Sequence, residues 1–222
     1  MCETRVIGLR RHRLVRLTPA GWARLLARDW LAPARACLAH WAEQGLPLVV
    51  TRQPEGLAPE QIQLGLPAPT CWGRLRLTLQ ADRADVLGCA EFPGLDRVAQ
   101  QWPAEAHAPW LALCRDLAAL QVRAQVYGSH GWQHLTGLAY VHERSDLDLL
   151  MPVASIRTAD AVVALLAGWA GSTPRLDGEL GFADGAAVAW REWLLWRQGR
   201  AGQLLVKRLH DVTLQSDLTG LA

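Results

Sequence analysis

Apolar residues recur at two periods along the first eighty positions, one helical and one extended. Thr18-Pro19 is followed by Trp22, Leu25, Leu26 and Trp30 at helical spacing, and a hydroxyl ahead of a first-turn proline is a favoured helix start. A second helix is predicted from Ala34 to Gln44, carrying Leu38, Trp41 and Ala42 to a stop at Gly45. Leu46 to Arg52 and Ile62 to Leu66 read as strands, and Arg74 to Leu79 alternates polar and apolar residues as a half-buried strand does. Further on, Trp110, Leu113, Cys114, Leu117 and Leu120 mark one helix face, and Ala124 to Tyr127 forms a short strand running into Gly128-Ser129, which opens a turn or helix. Ser145 to Met151 reads as a strand and Ser155 as the cap of a helix over Ile156 to Trp169. Arg175 to Phe182 with Ala186 to Trp190 reads as a hairpin. The class is α+β. Pro93-Gly94 and Pro103 punctuate the middle of the chain and predict a division near residue 104, with a smaller α+β domain over 1–104 and a second domain over 105–222.

Composition narrows the function classes. The chain has 222 residues, 50% of them hydrophobic and 20% charged, and 23 basic against 21 acidic side chains give a net charge of +2. That balance carries neither the signature of a disordered acidic segment nor the basic excess of a nucleic-acid binder, so no nucleic-acid partner is expected. No apolar stretch approaches the ~20 residues of a membrane helix. Arg10-Arg11-His12-Arg13 arrives before any signal-peptide core. A cytoplasmic protein without a membrane partner is therefore expected. Five scattered cysteines without a CxxC pair suit small buried hydrophobes better than a disulfide framework or a zinc ribbon.

The chemistry concentrates in one constellation: Gly128-Ser129, sixteen intervening residues, Asp146-Leu147-Asp148 in an apolar strand, then Asp177 and Glu179 in a later strand. On a strand, residues i and i+2 share a face, so Asp146 and Asp148 project together while Leu147, Leu149 and Met151 enter the opposite layer. Paired carboxylates repel, and a Mg²⁺ bound between them relieves the repulsion. A strand entering Gly-Ser and a helical turn offers backbone N–H groups to an anion. Together these describe a phosphoryl-type transfer. Asp177 or Glu179, which also share a face, would supply a third carboxylate to hold metal or take a proton.

This order of elements is similar to the nucleotidyltransferase pattern of the polymerase β superfamily. More closely, Tyr127-Gly128-Ser129, Trp132-Gln133, Leu135-Thr136-Gly137-Leu138, Tyr140 and Ser145 to Leu150 resemble the phosphoribosyl-dephospho-CoA transferases, the holo-acyl-carrier-protein synthases of malonate decarboxylase. Leu176 to Leu180, Asp184-Gly185 and Ala187 to Glu192 look like the same family, as do, more loosely, His12 to Leu17, Pro47 to Arg52 and Leu64 to Pro67. The resemblance implies a polymerase-β-like nucleotidyltransferase core, a mixed sheet with flanking helices, preceded by a domain that closes the cleft or docks the carrier. It implies transfer from 2′-(5″-triphosphoribosyl)-3′-dephospho-CoA to a serine of the apo acyl-carrier subunit of malonate decarboxylase, with release of diphosphate. The family's metal-binding aspartates carry over to Asp146 and Asp148, and its Gly-Ser to Gly128 and Ser129. Asp177 is preferred to Glu179 as the third carboxylate and metal ligand. Alternatives are a citrate lyase holo-carrier synthase, an AMP transferase, or a non-catalytic interaction protein of the same fold.

Other residues are weighed beside this set. Arg52, and less so Arg74 and Arg76, could bind substrate phosphate. One of Trp190, Trp193 and Trp196 could stack on adenine, though packing is the plainer reading. Trp132 and Gln133 follow the Gly-Ser and could touch phosphate or ribose. His130 and His134 are spaced i, i+4, but no third zinc ligand accompanies them.

Overall fold

The computed structural model describes residues 8–169, 171–218 and 220–221; Cys2 lies outside them. The chain divides into two compact units after Glu91. The first contains Leu14–Leu17 (β1), Pro19–Leu26 (α1), Ala32–Glu43 (α2), Leu48–Val50 (β2), Gln61–Pro67 (β3), Arg76–Asp82 (β4) and Val86–Ala90 (β5). Its five strands form an antiparallel sheet of order β4-β3-β2-β1-β5. Thr18 Oγ1 accepts the Gly21 N–H at 3.1 Å and caps α1. Cys37, Leu38 and Trp41 form the buried stripe of α2. Trp30 falls beyond α1, its Nε1 donating to the Leu25 carbonyl at 2.7 Å. Arg74 does not join the strand predicted for it: it sits in a left-handed turn (φ 55°) ahead of β4, held by its N–H to the Pro69 carbonyl.

The second unit contains Leu95–Ala99 (α3), Ala104–Ala119 (α4), Gln125–Val126 (β6), Gly128–Thr136 (α5), Leu147–Pro152 (β7), Ile156–Ala167 (α6) and Leu176–Gly181 (β8). Ala187–Ala189 (β9), Trp190–Arg197 (α7), Leu204–Lys207 (β10) and Val212–Gln215 (β11) complete it. Its six-stranded sheet has the order β11-β10-β9-β8-β7-β6. Among the described residues of this sheet only β7 and β8 pair in parallel, the other neighbours being antiparallel. A parallel pair needs a crossover, which α6 supplies, capped by Ser155 accepting the Thr158 N–H at 3.1 Å. Leu95, Val98 and Ala99 of α3 belong to the same core as Leu113 and Leu117 of α4 and Leu147, Leu149, Met151, Leu176 and Leu180 of the sheet. For that reason the division falls after Glu91 and not near 104: the segment between the two proline signals is α3, packed into the second core.

With two sheets and seven α-helices among the described residues, the fold is α+β. No helix among them is long and apolar enough to cross a membrane. Cys37 is buried and its thiol is pushed by burial up to about 12, and burial takes Cys114 to about 11. Cys71, in contrast to the buried reading, is exposed.

Candidate functional site

The parallel pairing of β7 and β8 sets Asp148 directly opposite Asp177. Neighbouring strands lie roughly 4.8 Å apart, so the backbone itself brings these two carboxylates side by side. Leu147, Leu149 and Met151 are fully buried on the other face. Asp146 lies one residue before β7 and Arg175 one residue before β8. Arg175 joins the acids: its Nε donates to Asp146 Oδ1 at 2.9 Å, and its Nη2 donates to Asp146 Oδ2 and, at 3.3 Å, to Asp177 Oδ2. Asp177 Oδ1 accepts the Gly178 N–H at 2.8 Å.

The two aspartates of the DxD shift in opposite directions. Burial, followed by the charges of Asp177 and Asp146, pushes the Asp148 carboxyl up to about 7. Asp146 is held below its usual range by the Arg175 hydrogen bond, with the Arg191 charge adding to it. Asp148 thus ionises reluctantly until a further positive charge arrives.

The start of α5 lies against Asp148. Tyr127 N–H donates to the Asp148 carbonyl at 3.0 Å. Gly128 adopts φ 60°, and a Cβ there would overlap Asp148 Oδ2 and stand 2.9 Å from its Cγ. Only glycine meets both demands. The first amides of a helix lack intrahelical acceptors and carry the positive end of its dipole. Ser129, half-buried, sits in that turn.

Glu179 is placed differently from Asp177. It is 5% exposed, stands opposite Leu150 in the parallel register, and accepts from Lys207 Nζ at 2.8 Å. Lys207 is the one lysine of the sequence. Arg52 is an exposed residue of the first unit following β2, its carbonyl accepting from Gln63 Nε2 at 2.9 Å. Trp132 is buried edge-on to Phe92 and against Tyr140, while Gln133 Oε1 accepts the N–H groups of Tyr140 and Val141. Both residues therefore fasten the loop that leads to β7. Trp190 and Trp193 are fully buried, which removes them from ligand stacking.

Sequence reasoning does not single out Arg175, Arg191 or Lys207. The signal for Arg175 was its i, i+2 relation to Asp177, and for Lys207 its uniqueness in an arginine-rich chain.

The donors Asp146, Asp148 and Asp177 are carboxylates, the hard oxygen ligands that suit Mg²⁺, and the suppressed ionisation of Asp148 is what a bound cation would reverse. Among the described residues no three His, Cys, Asp or Glu side chains enclose one point closely enough to hold a metal as they stand; the positive charge is supplied by Arg175. Its side chain is 53% exposed, which leaves it room to turn away. The chemistry of the donors suits the ion, while holding it requires Arg175 to withdraw from Asp146 and Asp177.

Residues 10–92 match the family model described as phosphoribosyl-dephospho-CoA transferase MdcG N-terminal domain, and residues 94–218 match the corresponding C-terminal domain. A protein of Xanthomonas euvesicatoria named phosphoribosyl-dephospho-CoA transferase is 42% identical over 182 residues, covering 82% of this chain and 84% of the relative. One of the same name from Bradyrhizobium diazoefficiens is 44% identical over 92% of this chain and 88% of its own length. Another, from Pseudomonas aeruginosa, is 33% identical over 73% and 75%. No solved structure matches. With both family domains in order along one chain and relatives alike over most of its length, this protein belongs to the phosphoribosyl-dephospho-CoA transferases, a family of transferase enzymes.

Proposed function

We propose that the chain transfers phosphoribosyl-dephospho-CoA from 2′-(5″-triphosphoribosyl)-3′-dephospho-CoA to a serine of the apo acyl-carrier subunit of malonate decarboxylase. The second unit acts in this reading as a nucleotidyltransferase core. One observation carries it: the Gly128-Ser129 turn packs on Asp148, and Asp148 pairs with Asp177 across parallel strands, so an anion cradle and a carboxylate cluster share one place.

Gly128 and Ser129 hold anionic oxygens of the triphosphate through the opening amides of α5 and the serine hydroxyl. Asp146 and Asp148 would hold Mg²⁺, with Asp177 completing the set. Bound there, the ion would supply neutralisation of phosphate charge and polarisation of the α-phosphorus. Arg175 leaves the carboxylates and pairs with phosphate, for which its planar fork is suited. The carrier's serine oxygen attacks the α-phosphorus in line, the bond to the β-bridging oxygen breaks, and diphosphate departs with that electron pair. The serine proton passes to Asp177 Oδ2, the atom Arg175 releases. Glu179, neutralised by Lys207, serves to fix the sheet behind the cluster. Arg52 is assigned to phosphate binding on its charge alone, and the first unit to docking of the carrier.

Intact mass spectrometry of the apo carrier, after incubation with the protein, Mg²⁺ and the triphosphoribosyl donor, tests this. A gain equal to the prosthetic group is expected, absent in folded Asp146→Asn and Asp148→Asn variants. An AMP adduct formed from ATP and none from the triphosphoribosyl donor would keep the phosphoryl chemistry and overturn the substrate. Full activity in either variant would overturn the site.

A further inference from the structure

The second unit contains a cavity of about 500 Å³, inside the range of small-molecule sites, that the acid cluster does not use. Trp102, Trp110, Trp169 and His130 line it, with Ser172 and Pro174 on the side toward Arg175. The rings touch in series. His130 lies 5.5 Å from Trp102 between centroids, Trp102 lies 5.9 Å from Trp110 edge to face, and Trp110 lies 5.1 Å from Trp169. Trp110 is buried at the back, whereas Trp102 and Trp169 keep part of their surface exposed. An aromatic wall with two partly open indoles is suited to a planar ring.

A second observation gives the wall polarity. His130 is 8% exposed and its Nε2 is buried without a hydrogen-bond partner among the described residues. Buried polar atoms are nearly always paired; Nε2 has almost no surface of its own, so a ligand amino group meets it where the half-exposed Trp102 ring beside it turns aside. A purely aliphatic ligand would leave it unpaired. Burial lowers the proton affinity of His130 against a backbone hydrogen bond with Ser145 that holds the other ring nitrogen, so the neutral ring presents Nε2 as an acceptor.

The cavity also adjoins the proposed phosphate site through the chain itself. His130 is two residues beyond Gly128 in the first turn of α5, and Pro174 immediately precedes Arg175. Ser172 Oγ ties this approach down, donating to the Pro174 carbonyl at 3.0 Å and accepting the Leu176 N–H at 3.2 Å.

We infer that this cavity is the adenine subsite of the donor, with the base packed on Trp102 and Trp169 and hydrogen-bonded to His130 Nε2. The inference rests on the transferase reading above, because it is the dephospho-CoA portion that brings an adenine to this place. It assigns base recognition to a face that the DxD strand does not reach.

Calorimetric titration with 3′-dephospho-CoA, pantetheine and inorganic triphosphate, on the wild type and on the Trp169→Ala and His130→Gln variants, tests it. Trp169→Ala is expected to weaken dephospho-CoA binding about tenfold or more, the usual effect of removing a base-stacking ring. His130→Gln should weaken it roughly threefold to tenfold, the worth of one hydrogen bond. Triphosphate binding should not change. Nuclear Overhauser contacts between adenine H2 or H8 and indole protons in the wild-type complex give the same answer without a variant, and cover the case in which Trp169→Ala fails to fold. Wild-type affinity in both folded variants, absence of those contacts, or a variant-sensitive site for pantetheine would each overturn the subsite. If that happens while wild type still modifies the carrier, the transferase reading stands alone; if wild type neither binds dephospho-CoA nor modifies the carrier, both fall.

Discussion

Asp148 is the residue on which the acid cluster turns. Its folded-state pKa of about 7 stands above the ordinary 3.8 because burial and the neighbouring charges of Asp177, Asp146 and Glu179 oppose ionisation, with Arg175 the opposing influence. Between those two values the folded chain holds a proton that the unfolded chain releases, so this group's contribution to stability falls as pH rises from 3.8 to about 7. His130 and His134, lowered mainly by burial, work the other way below their ordinary value. The comparison that isolates Asp148 is therefore with Asp148→Asn. In metal-free buffer the variant should gain in melting temperature relative to wild type as pH rises through that window, and a pH-independent difference would contradict the assignment. Above pH 7, millimolar Mg²⁺ should raise the wild-type melting temperature and leave Asp148→Asn unmoved. Gly128→Ala is the steric counterpart. Its Cβ would displace the Asp148 carboxylate, and the left-handed backbone adds strain of ~1–3 kcal/mol. Transfer should fall at least tenfold in kcat/KM, with a modest loss of melting temperature.

Among the elements, β7 and β8 depend on one close approach. Gly178 stands opposite Leu149 with φ 135°, and a Cβ there would overlap the Leu149 carbonyl oxygen and lie 2.6 Å from its nitrogen. Gly178→Ala is expected to abolish cooperative unfolding and near-UV circular dichroism. Thr18→Ala, which removes the α1 cap and the 3.5 Å hydrogen bond from Thr18 Oγ1 to Asp85 Oδ1, should cost ~1–2 kcal/mol and leave transfer unchanged. Elements with strong local signals were legible in the sequence: Thr18-Pro19, Ser155, the alternation through Asp146 to Met151, and the Asp184-Gly185 turn each state their own conformation. Others owe their form to partners. Val86–Ala90 has Gly88 at its centre and a mostly exposed pattern, and becomes a strand only by pairing with β1. Val212–Gln215 is largely exposed and is drawn out by β10. The same holds at the site. Asp146 and Asp148 were legible from a period of two, whereas the bond from Arg175 to Asp146 spans 29 residues and exists only once β7 and β8 are adjacent.

Over the whole molecule, the core of the second unit is assembled from its own residues, from Leu95 to Leu221. A fragment of residues 92–222 is therefore expected to unfold cooperatively and to keep its Mg²⁺-dependent stabilisation, while losing transfer to the carrier. A fragment without a cooperative transition would show that the second core needs the first unit. The alignment of β7 with β8 governs more than the spacing of two acids. In the register observed, Leu147, Leu149 and Met151 face the core as Asp148 meets Asp177; a slip of one residue would turn the carboxylates inward and the leucines outward. A sheet misaligned by one residue therefore cannot display the acid pair on its outer face, and one misaligned by two would no longer set Asp148 opposite Asp177. On the proposed Mg²⁺ reading, cation uptake by a preparation would count the molecules assembled in this register, and its stoichiometry would double as an assay of foldedness.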